Sequence, residues 1–515
     1  MERHGSESYY ILGEGLVTES VGGRARTLAA SVEAAVPPFR FTRLGPKSDP
    51  VPDATLERAA AAMTTVDRRR ESRIPAGYTY VGQFVDHDLT FDRTKVALGD
   101  RVRPAELVQA RSPSLDLDSL YGAGPQDPVS DKFYEDAFHL KMGRTIAVGP
   151  DEAKDGFDLP RRTSGSAENR RTALIPDSRN DENLAVAQTH LAFIRFHNRV
   201  VDTLPGSVPQ AQRFVRAREL VVKHYQWMLR HDYLPRICDG SVVTDVFRNG
   251  RKAFEVGATP TDVPTMPVEF SVAAFRLGHS MVRDEYSWNR RFDFGEGTLD
   301  LLFDFSGGSG DLGFGPRLPS NWIADFRRLY DFREAGRDDL RVPAAQFNRA
   351  MRIDTALVGT LRRLRRMPSG ESRNLALRNL IRAKMLRLAT GQQMATFLRS
   401  KGVAVATLTR ARIKNGDNGA ELDGLTSAQR DAFLRDTPLW FYILREAELE
   451  GGKLRGVGAR LVAETFHRAM EGSEFSIVRD QAWRPTLGPN PRTFRMVDLL
   501  LFAANGRKSV IAPLG

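Results

Sequence analysis

Apolar residues recur every three or four positions along most of the chain, which places them on one face of an α-helix. The pattern predicts helices over residues 54–65, 189–202, 213–231, 372–389, 439–448, 456–469 and 497–504. Alternation of apolar and polar residues is sparse, and hairpin dipeptides are scarce. The Gly- and Asp-rich stretch 299–316 predicts a long loop. We therefore predict a mainly α fold with few short strands.

The first 50 residues have a different pattern. A run of small residues at 29–35 is followed by closely spaced prolines, namely Pro37, Pro38, Pro46, Pro50 and Pro52. Closely spaced prolines of this kind suit a segment that lies across a domain surface. No repeat of fixed period is evident in the 515 residues. We therefore predict an N-terminal arm over 1–50 and one large domain over 51–515.

The charge balance is basic, with 75 Lys and Arg against 64 Asp and Glu and a net charge of +11. A basic protein can bind nucleic acid, an anionic surface or an acidic ligand. The densest runs, at 68–70 and 362–366, lie beside no nucleic-acid motif. We interpret them as solvated helix faces. What the excess of arginine is for stays open at this point.

Only one cysteine is present, Cys238, so the chain can form no internal disulfide and contains no CxxC motif. No run of 18 apolar residues occurs, so we expect no transmembrane segment. The first residues also lack a charged stretch followed by an apolar one. We expect a cytoplasmic protein, with leaderless secretion as the alternative, and favour a monomer.

The first unusual histidine is His87, in the segment GQFVDHDL. On a helix Gln83 and His87 share a face, while Asp86 and Asp88 flank the histidine. Two carboxylates around one imidazole are costly to bury unless a cation, a covalent bond or a partner takes up the charge. The segment is either an exposed polar helix end or a functional site. Its interleaved apolar residues favour the functional site.

The second unusual histidine is His279, on an otherwise apolar face predicted to be helical over 274–282. A lone histidine in that setting is more often a core residue than a ligand. Gly278 beside it removes side-chain bulk, at a cost of roughly 1 kcal/mol relative to Ala. That opening would let a flat ligand approach closely.

Two further polar segments stand out. The segment PDSRNDEN at 176–183 leads into a helix on which His190 and His197 lie seven positions apart. That spacing suggests packing or hydrogen bonding rather than a metal site. The other segment has oxygen-bearing side chains at every second position, namely Ser112, Ser114, Asp116 and Asp118. A hard cation such as Ca²⁺ needs such side chains from one loop. A plain turn is the alternative interpretation of these four residues.

Taken together, the four segments resemble the peroxidase–cyclooxygenase superfamily, that is, the animal-type haem peroxidases and their bacterial relatives. The resemblance runs from about residue 40 to the C-terminus, with the motifs in the family's order. A fifth match, RNLIR, places Asn379 100 positions after His279. The resemblance implies a large, single-domain helical fold of the animal haem peroxidase type.

The resemblance also assigns a cofactor, haem b, and its surroundings. His279 resembles the proximal ligand of the haem iron. Asn379 would accept a hydrogen bond from the other ring nitrogen, which makes the imidazole a better donor. Arg276 would pair with a haem propionate.

On the other side of the ring, the resemblance makes His87 the distal acid–base residue and Arg179 its cationic companion. A neutral imidazole can carry the peroxide proton, and a fixed guanidinium stabilises the charge on the departing hydroxide. Gln83 would hold distal water and border any halide site. Hydrogen peroxide and a small-molecule or halide electron donor are the partners that this implies.

Two carboxylates, Asp86 and Glu182, match positions at which animal relatives form ester bonds to haem methyl groups. Asp88 matches a calcium ligand, and the resemblance completes the Ca²⁺ site with Ser112, Ser114, Asp116 and Asp118. An Asp at 118 stands where animal enzymes carry Ser, which adds a charge to the site.

Two departures refine the implied function. Asn183 occupies the position of the Met that forms a third haem link in one relative, so that link is absent. Arg276 occupies the position of the radical-bearing Tyr of cyclooxygenases and fatty-acid dioxygenases. The sequence therefore favours a haem peroxidase over a dioxygenase.

Two hypotheses from other classes remain open at this point. One is a metal-dependent phosphohydrolase built on His87 and Asp88, with His190 and His197 as further ligands. The other is a basic helical protein that binds nucleic acid or anionic lipid, for which a steep salt dependence would be diagnostic.

Overall fold

Short antiparallel and parallel strand pairs are scattered among many α-helices in the computed structural model, which describes residues 39–66, 70–94, 96–364 and 373–515. The mainly α fold predicted from the sequence is thereby confirmed. Most of the predicted arm (1–38), Arg68 and Arg69, and residues 365–366 of the second basic run lie outside the described residues.

The helices in the first part of the described chain are α1 (Asp53–Met63), α2 (Gly77–Leu89), α3 (Asp118–Tyr121), α4 (Ala167–Arg171), α5 (Leu184–Thr203), α6 (Gln210–Met228), α7 (Leu234–Ile237), α8 (Gly240–Asn249), α9 (Val268–Ser271), α10 (Gly278–Met281) and α11 (Leu299–Asp304). Those in the second part are α12 (Leu375–Met385), α13 (Gly391–Ser400), α14 (Arg410–Asn415), α15 (Ser427–Arg435), α16 (Leu439–Leu449), α17 (Gly456–Glu471), α18 (Met496–Ala503) and α19 (Lys508–Ile511).

The strands form two-stranded pairs only, within the ranges that the structure describes. They are β1 (Phe41–Thr42), β2 (Glu71–Pro75), β3 (Gly143–Arg144), β4 (Asp155–Asp158), β5 (Met266–Pro267), β6 (Glu285–Tyr286), β7 (Gly297–Thr298) and β8 (Arg349–Met351). β1 pairs with β5 in parallel. The other three pairs, β2 with β8, β3 with β4 and β6 with β7, are antiparallel.

Two local predictions were wrong. The predicted loop 299–316 begins with α11, because Leu299, Leu302 and Phe303 are buried at helical spacing and Thr298 accepts a hydrogen bond from the amide of Leu301. The predicted helical face 274–282 is divided into a 3₁₀ turn and the single turn of α10.

The long helix α5 lies at the centre of the site region and packs against α2, α6 and α18. Its first turn is capped by Asn183, whose side-chain oxygen accepts from the amide of Val186 at 2.9 Å. Every residue of α2 is buried. A polar side chain on α2 therefore faces either a partner or an internal cavity.

The end of α6 departs from α-helical geometry. Residues Leu229–Tyr233 form a π-helical turn before α7 begins. Asp232 anchors this turn, because its carboxylate accepts from the Tyr78 hydroxyl at 2.6 Å and from the Met496 amide at 2.9 Å. Turns of this kind occur often at functional sites, since they redirect one side chain. Here the redirected side chain is that of Tyr233.

The described residues of the predicted arm, 39–50, contact the helical body. Besides the pairing of β1 with β5, the amides of Leu44 and Gly45 donate to the Glu269 carboxylate at 3.1 and 2.9 Å. None of the helices within the described ranges combines the length and the apolar character needed to cross a membrane.

Candidate active site

A small cavity of about 20 Å³ lies between α2 and the segment that carries His279. Gln83 and Asp86 line it from α2, and Arg276, Gly278 and His279 line it from the facing segment. The fold thus gathers five residues that were singled out in the sequence, from both the predicted distal and the predicted proximal motifs.

His279 is almost completely buried and is held by α12. Its Nδ1 lies 2.7 Å from Nδ2 of Asn379. The two residues are in contact, as the sequence predicts. The amide atom that faces the imidazole, however, is the nitrogen and not the predicted oxygen. In this orientation the amide donates to Nδ1. Rotation of the amide by half a turn gives the predicted pair, in which Nδ1–H donates.

Gly278, next to His279, is open in the direction in which a side chain would project. A methyl group built on its Cα would meet no atom within 4 Å. Because Gly278 lines the cavity, this space is continuous with it. The opening agrees with the expectation that a flat ligand can approach His279 here.

His87 is completely buried on α2, one turn beyond Gln83. Its Nδ1 lies 2.9 Å from the side-chain oxygen of Asn180. Since that oxygen only accepts, Nδ1 carries the proton and Nε2 of the neutral ring is an acceptor. Burial and then the charge of Arg179 lower the pKa of His87 to about 3. The imidazole is therefore neutral at neutral pH.

Arg179 is completely buried beside His87 and is held in one orientation. Its Nε and Nη2 donate to the two oxygens of Asp177 at 3.0 and 2.7 Å, and Nη2 also donates to the backbone oxygen of His87 at 3.0 Å. Arg111 donates to the same carboxylate at 2.5 Å. Although burial opposes it, the two guanidinium charges hold the pKa of Asp177 far below its usual range.

Gln83 separates the cavity from a second layer of polar side chains. Its Nε2 donates to Oε2 of Glu182 at 3.2 Å, and its Oε1 accepts from Asn183 at 2.9 Å. The same Glu182 oxygen lies 4.0 Å from Nε2 of His87. His87, Arg179 and Glu182 are not among the residues that line the cavity. The structure therefore divides the predicted distal residues into an inner and an outer layer.

Asp86 belongs to the inner layer. Its Oδ2 is buried and has no hydrogen-bond partner among the described residues. Burial raises the pKa of Asp86 to about 6, against the opposing charges of Arg276 and Arg179. A buried carboxylate oxygen without a partner at a cavity wall is costly, which suggests that a further group contacts it.

Asp88 points away from the cavity, toward the predicted cation loop. Its oxygens accept from the amide of Leu117 at 3.2 Å and from the amide and hydroxyl of Ser119 at 3.4 and 3.3 Å. Leu117 has a φ of 60°, which turns its amide toward Asp88. Burial and the charge of Asp118 raise the pKa of Asp88 to about 8.

Other members of the predicted calcium set face elsewhere. Asp116 accepts from Ser473 and from the amide of Glu474, at 2.5 and 2.9 Å, and Ser114 donates to the backbone oxygen of Gly472 at 3.3 Å. The hydroxyl of Ser112 has no hydrogen-bond partner among the described residues. The loop thus lies against Asp88, but its side chains are not gathered around one point.

The described residues do not supply the set of metal ligands that the phosphohydrolase hypothesis requires. Both nitrogens of His197 are in use, with the Tyr121 hydroxyl at 3.0 Å and the Phe138 backbone oxygen at 2.7 Å. His190 packs edge-on against Phe84. Within the described ranges, no three His, Cys, Asp or Glu side chains are arranged to hold a metal ion.

Three residues of the site had no role in the sequence predictions. Asp177 and Asn180 lie in the same segment as Arg179, and their polar character next to a functional arginine was the available signal. Tyr233 lines the cavity from the π-helical turn, and its hydroxyl would lie 2.4 Å from a methyl group built on Gly82. Nothing in the local sequence marks it.

Solved structures of a peroxidase and of fatty acid dioxygenases share this fold. Peroxidase A from Dictyostelium discoideum has a similar structure, with a TM-score of 0.62 at 16% identity over 92% of this chain and 94% of that one. A fatty acid alpha-dioxygenase from Arabidopsis thaliana has a TM-score of 0.58 at 13% identity, covering 92% and 77%.

Residues 73–302 of this chain, a little under half of its length, match the animal haem peroxidase family. The matched span includes His87, Arg179 and His279, and it ends before Asn379. The resemblance predicted from the motifs is therefore confirmed.

Sequence relatives agree with the family but are much longer than the region they share. A thyroid peroxidase from Mus musculus is 28% identical over 192 residues, which is 35% of this chain and 20% of the relative. A peroxidase-like protein from Margaritifera margaritifera is 30% identical over 147 residues, 28% of this chain and 18% of the relative. The matched regions thus span about a fifth of these relatives.

Proposed function

We propose that the protein is a haem-dependent peroxidase that reduces hydrogen peroxide and oxidises an organic donor or a halide. The observation that carries this proposal is the cavity between α2 and His279, with the neutral His87 and the fixed Arg179 immediately behind its α2 wall. The family match supports the same activity.

The residues around the cavity fit a b-type haem. The imidazole of His279 would bind the haem iron, and Asn379 would orient that imidazole. No atom lies within 4 Å of a methyl group built on Gly278, which leaves room beside His279, and the Arg276 guanidinium at the cavity wall suits an anionic propionate. Haem, when bound, supplies the iron centre at which peroxide is reduced.

The chain's own residues would manage the proton. With Nδ1–H donated to Asn180, Nε2 of His87 can accept a proton from peroxide and return it to the departing oxygen. Gln83 lines the cavity and His87 does not, so we propose that a water bound to Gln83 connects Nε2 with the cavity. Arg179 presents a guanidinium that is already oriented, and it stabilises the developing negative charge.

The test is the optical spectrum of the purified protein before and after addition of peroxide, followed by a donor screen with iodide, bromide and phenols. We expect a Soret band that His279→Ala abolishes. His87→Ala should keep the band but react with peroxide about 100-fold more slowly or worse. A fully reconstituted protein that binds no haem would contradict the proposal.

A dioxygenase activity is the competing outcome, since fatty acid dioxygenases share the fold. Oxygen uptake with linoleate, without peroxide, would identify it. Arg276 lines the cavity at the sequence position of the dioxygenase radical tyrosine, which favours the peroxidase.

We also propose that Asp86 forms an ester with a haem methyl group, because its unpartnered oxygen lies at the cavity wall. The bond replaces a methyl C–H and the carboxyl O–H, and peroxide takes up the two electrons and two protons as water. Glu182, the other predicted ester residue, lies behind Gln83. Mass spectrometry of the chain after treatment with peroxide should show bound haem mass in the native protein and none in Asp86→Asn.

Calcium binding at Asp88 is a further part of the proposal. Burial and then the charge of Asp118 raise the pKa values of Asp88 and Asp116, and a cation would offset the repulsion from Asp118. The remaining oxygens would come from Ser112, Ser114 and the loop backbone.

A further inference from the structure

A groove on the far part of α5 contains three arginines that have no acidic partner among the residues that the structure describes. Arg195, Arg199 and Arg507 line a cleft of about 960 Å³, formed by α5 and the chain around α18 and α19. Within the described ranges, none of the three guanidinium groups lies within 4.0 Å of a carboxylate. Their polar contacts are with backbone or amide oxygens: Arg195 donates to Gly156, Arg199 to Asn505 and Arg507 to Ala504.

The two acidic residues in the cleft contact side chains other than the three arginines. Asp155 pairs with Arg144 at 2.9 Å, and Asp202 pairs with His139 at 3.2 Å. Arg195 lies over the Phe157 ring, with 4.2 Å from Cζ to the ring centroid. Burial and the charge of Arg507 lower the pKa of Arg195 to about 10. An excess of positive charge thus remains at this end of the groove.

The cleft continues into a second depression of about 760 Å³, because Arg199 and Asn505 line both. Apolar side chains dominate the wall of the second depression, among them Leu487, Leu501 and Phe502. Besides Arg199, its charged residues are paired, since Arg337 pairs with Asp339 at 2.7 Å and Asp498 pairs with Arg495 at 2.8 Å.

We propose that this basic groove, from Arg195, Arg199 and Arg507 to Leu501 and Phe502, binds a small amphiphilic anion, an aliphatic carboxylate. The carboxylate would lie among the three guanidinium groups, which offer paired N–H donors to it. The alkyl chain would lie along the apolar depression and remove its surface from water. The groove shares no lining residue with the His279 cavity, so this is a second ligand site.

The test is titration calorimetry of the full-length protein with three probes. Octanoate has both the charge and the chain, 1-octanol has the chain alone, and acetate has the charge alone. We expect octanoate to bind, and the other two to bind at least about tenfold more weakly, because a hydrogen bond to a charged group and the burial of several methylenes each contribute that much.

Variants locate the binding site. Arg507→Gln and Arg199→Gln alter exposed or half-buried side chains, and each should weaken octanoate binding about tenfold. Leu501→Gln should weaken the binding of octanoate, and it should not increase the affinity for 1-octanol. Arg410→Gln removes an exposed arginine whose partner is Asp431, so it is the matched control and should not change the affinity. Circular dichroism checks that each variant is folded.

Several outcomes would overturn the inference. If octanoate does not bind, the inference is wrong. It is also wrong if octanoate binds but neither arginine variant changes its affinity, because the ligand then lies elsewhere. Co-sedimentation with phosphatidylglycerol vesicles without binding of free octanoate would assign the groove to a lipid surface instead. None of these results depends on haem, so they are independent of the peroxidase proposal.

Discussion

Asn180 fixes both the orientation and the tautomer of His87 through one hydrogen bond, with 2.9 Å between Nδ1 of the imidazole and Oδ1 of the amide. The bond leaves Nε2 as the acceptor, and this is the only nitrogen of a neutral ring that can take up a proton. Asn180 itself does not line the cavity. It is therefore a positioning residue that acts through His87.

Replacing Asn180 by Leu should slow the reaction with peroxide by about 10- to 100-fold, which is part of what a positioned proton acceptor supplies. Leu has a similar volume but accepts no hydrogen bond, so Nδ1 and Nε2 would compete for the proton. Stopped-flow absorbance at the Soret band measures the rate. Asn180→Asp keeps an acceptor oxygen and should retain most of the rate. An unchanged rate in Asn180→Leu would show that the tautomer is set by other contacts.

The low pKa of His87 predicts a flat pH profile. An imidazole of ordinary pKa loses its acceptor below about pH 6.5, whereas His87, with a pKa of about 3, stays neutral. The rate with peroxide should therefore be constant from pH 7 down to about pH 4. In Asn180→Asp the added carboxylate favours the imidazolium, so an acidic limb should appear at higher pH. A limb near pH 6.5 in the native protein would contradict this prediction.

The same pKa affects stability with a definite sign. Between about pH 3 and 6.5 the unfolded chain binds a proton at His87 that the folded protein does not bind. The contribution of His87 to the free energy of unfolding therefore decreases as the pH falls through that range. Replacement by Gln, which is neutral at every pH, should remove this contribution in denaturant titrations.

Asp177 neutralises two buried arginines, so Asp177→Asn should lower the free energy of unfolding by about 3 kcal/mol or more. The isosteric amide leaves the Arg179 and Arg111 guanidinium groups without their carboxylate. Urea unfolding followed by circular dichroism measures the loss. Asp155→Asn, which removes the partner of an exposed arginine, is the control and should change stability by less than about 1 kcal/mol. Equal effects of the two substitutions would contradict the assigned role.

How far the site follows from the sequence depends on the range of the contacts involved. Gln83 and His87 share a helix face because the helical period dictates it, and the sequence predicts this correctly. The contact between His279 and Asn379 joins positions 100 residues apart. No local pattern places them together, and only the resemblance to a family predicts it.

Other features were beyond sequence reasoning. Tyr233 reaches the cavity because Leu229–Tyr233 is a π-helical turn, whereas the apolar spacing of 213–231 predicts only a continuous helix. Some predicted distal residues line the cavity and others lie behind Gln83, and this separation depends on side-chain packing between α2 and α5. The apolar pattern also misses α11, because the glycines that follow Asp304 dominate the composition of the stretch.

Two glycines at the cavity should respond in opposite ways to an added methyl group. In Gly82→Ala the new Cβ would lie 2.4 Å from the Tyr233 hydroxyl, so Tyr233 must move and we expect a loss of about 1–3 kcal/mol in unfolding free energy. In Gly278→Ala nothing lies within 4 Å, so the haem-free protein should be as stable as the native one or more so. Haem titration should show weaker binding in Gly278→Ala, since the methyl occupies space continuous with the cavity. Full haem affinity in that variant would mean that haem does not approach Gly278.

Asp88 links calcium, pH and stability. Burial and the charge of Asp118 raise its pKa to about 8, so between about pH 4 and 8 the folded protein holds a proton that the unfolded chain has released. The free energy of unfolding should therefore fall as the pH rises through that range when calcium is chelated.

Calcium binds the ionised carboxylate in the folded state, and it should restore the stability at pH 8. Asp88→Asn should reduce the pH dependence and remove the effect of calcium, whereas Asp431→Asn, at an exposed ion pair, should change neither. Thermal unfolding at pH 5 and pH 8, with calcium or with chelator, measures all four conditions. If calcium stabilises Asp88→Asn as strongly as the native protein, the cation binds elsewhere and the loop serves only to pack against α2.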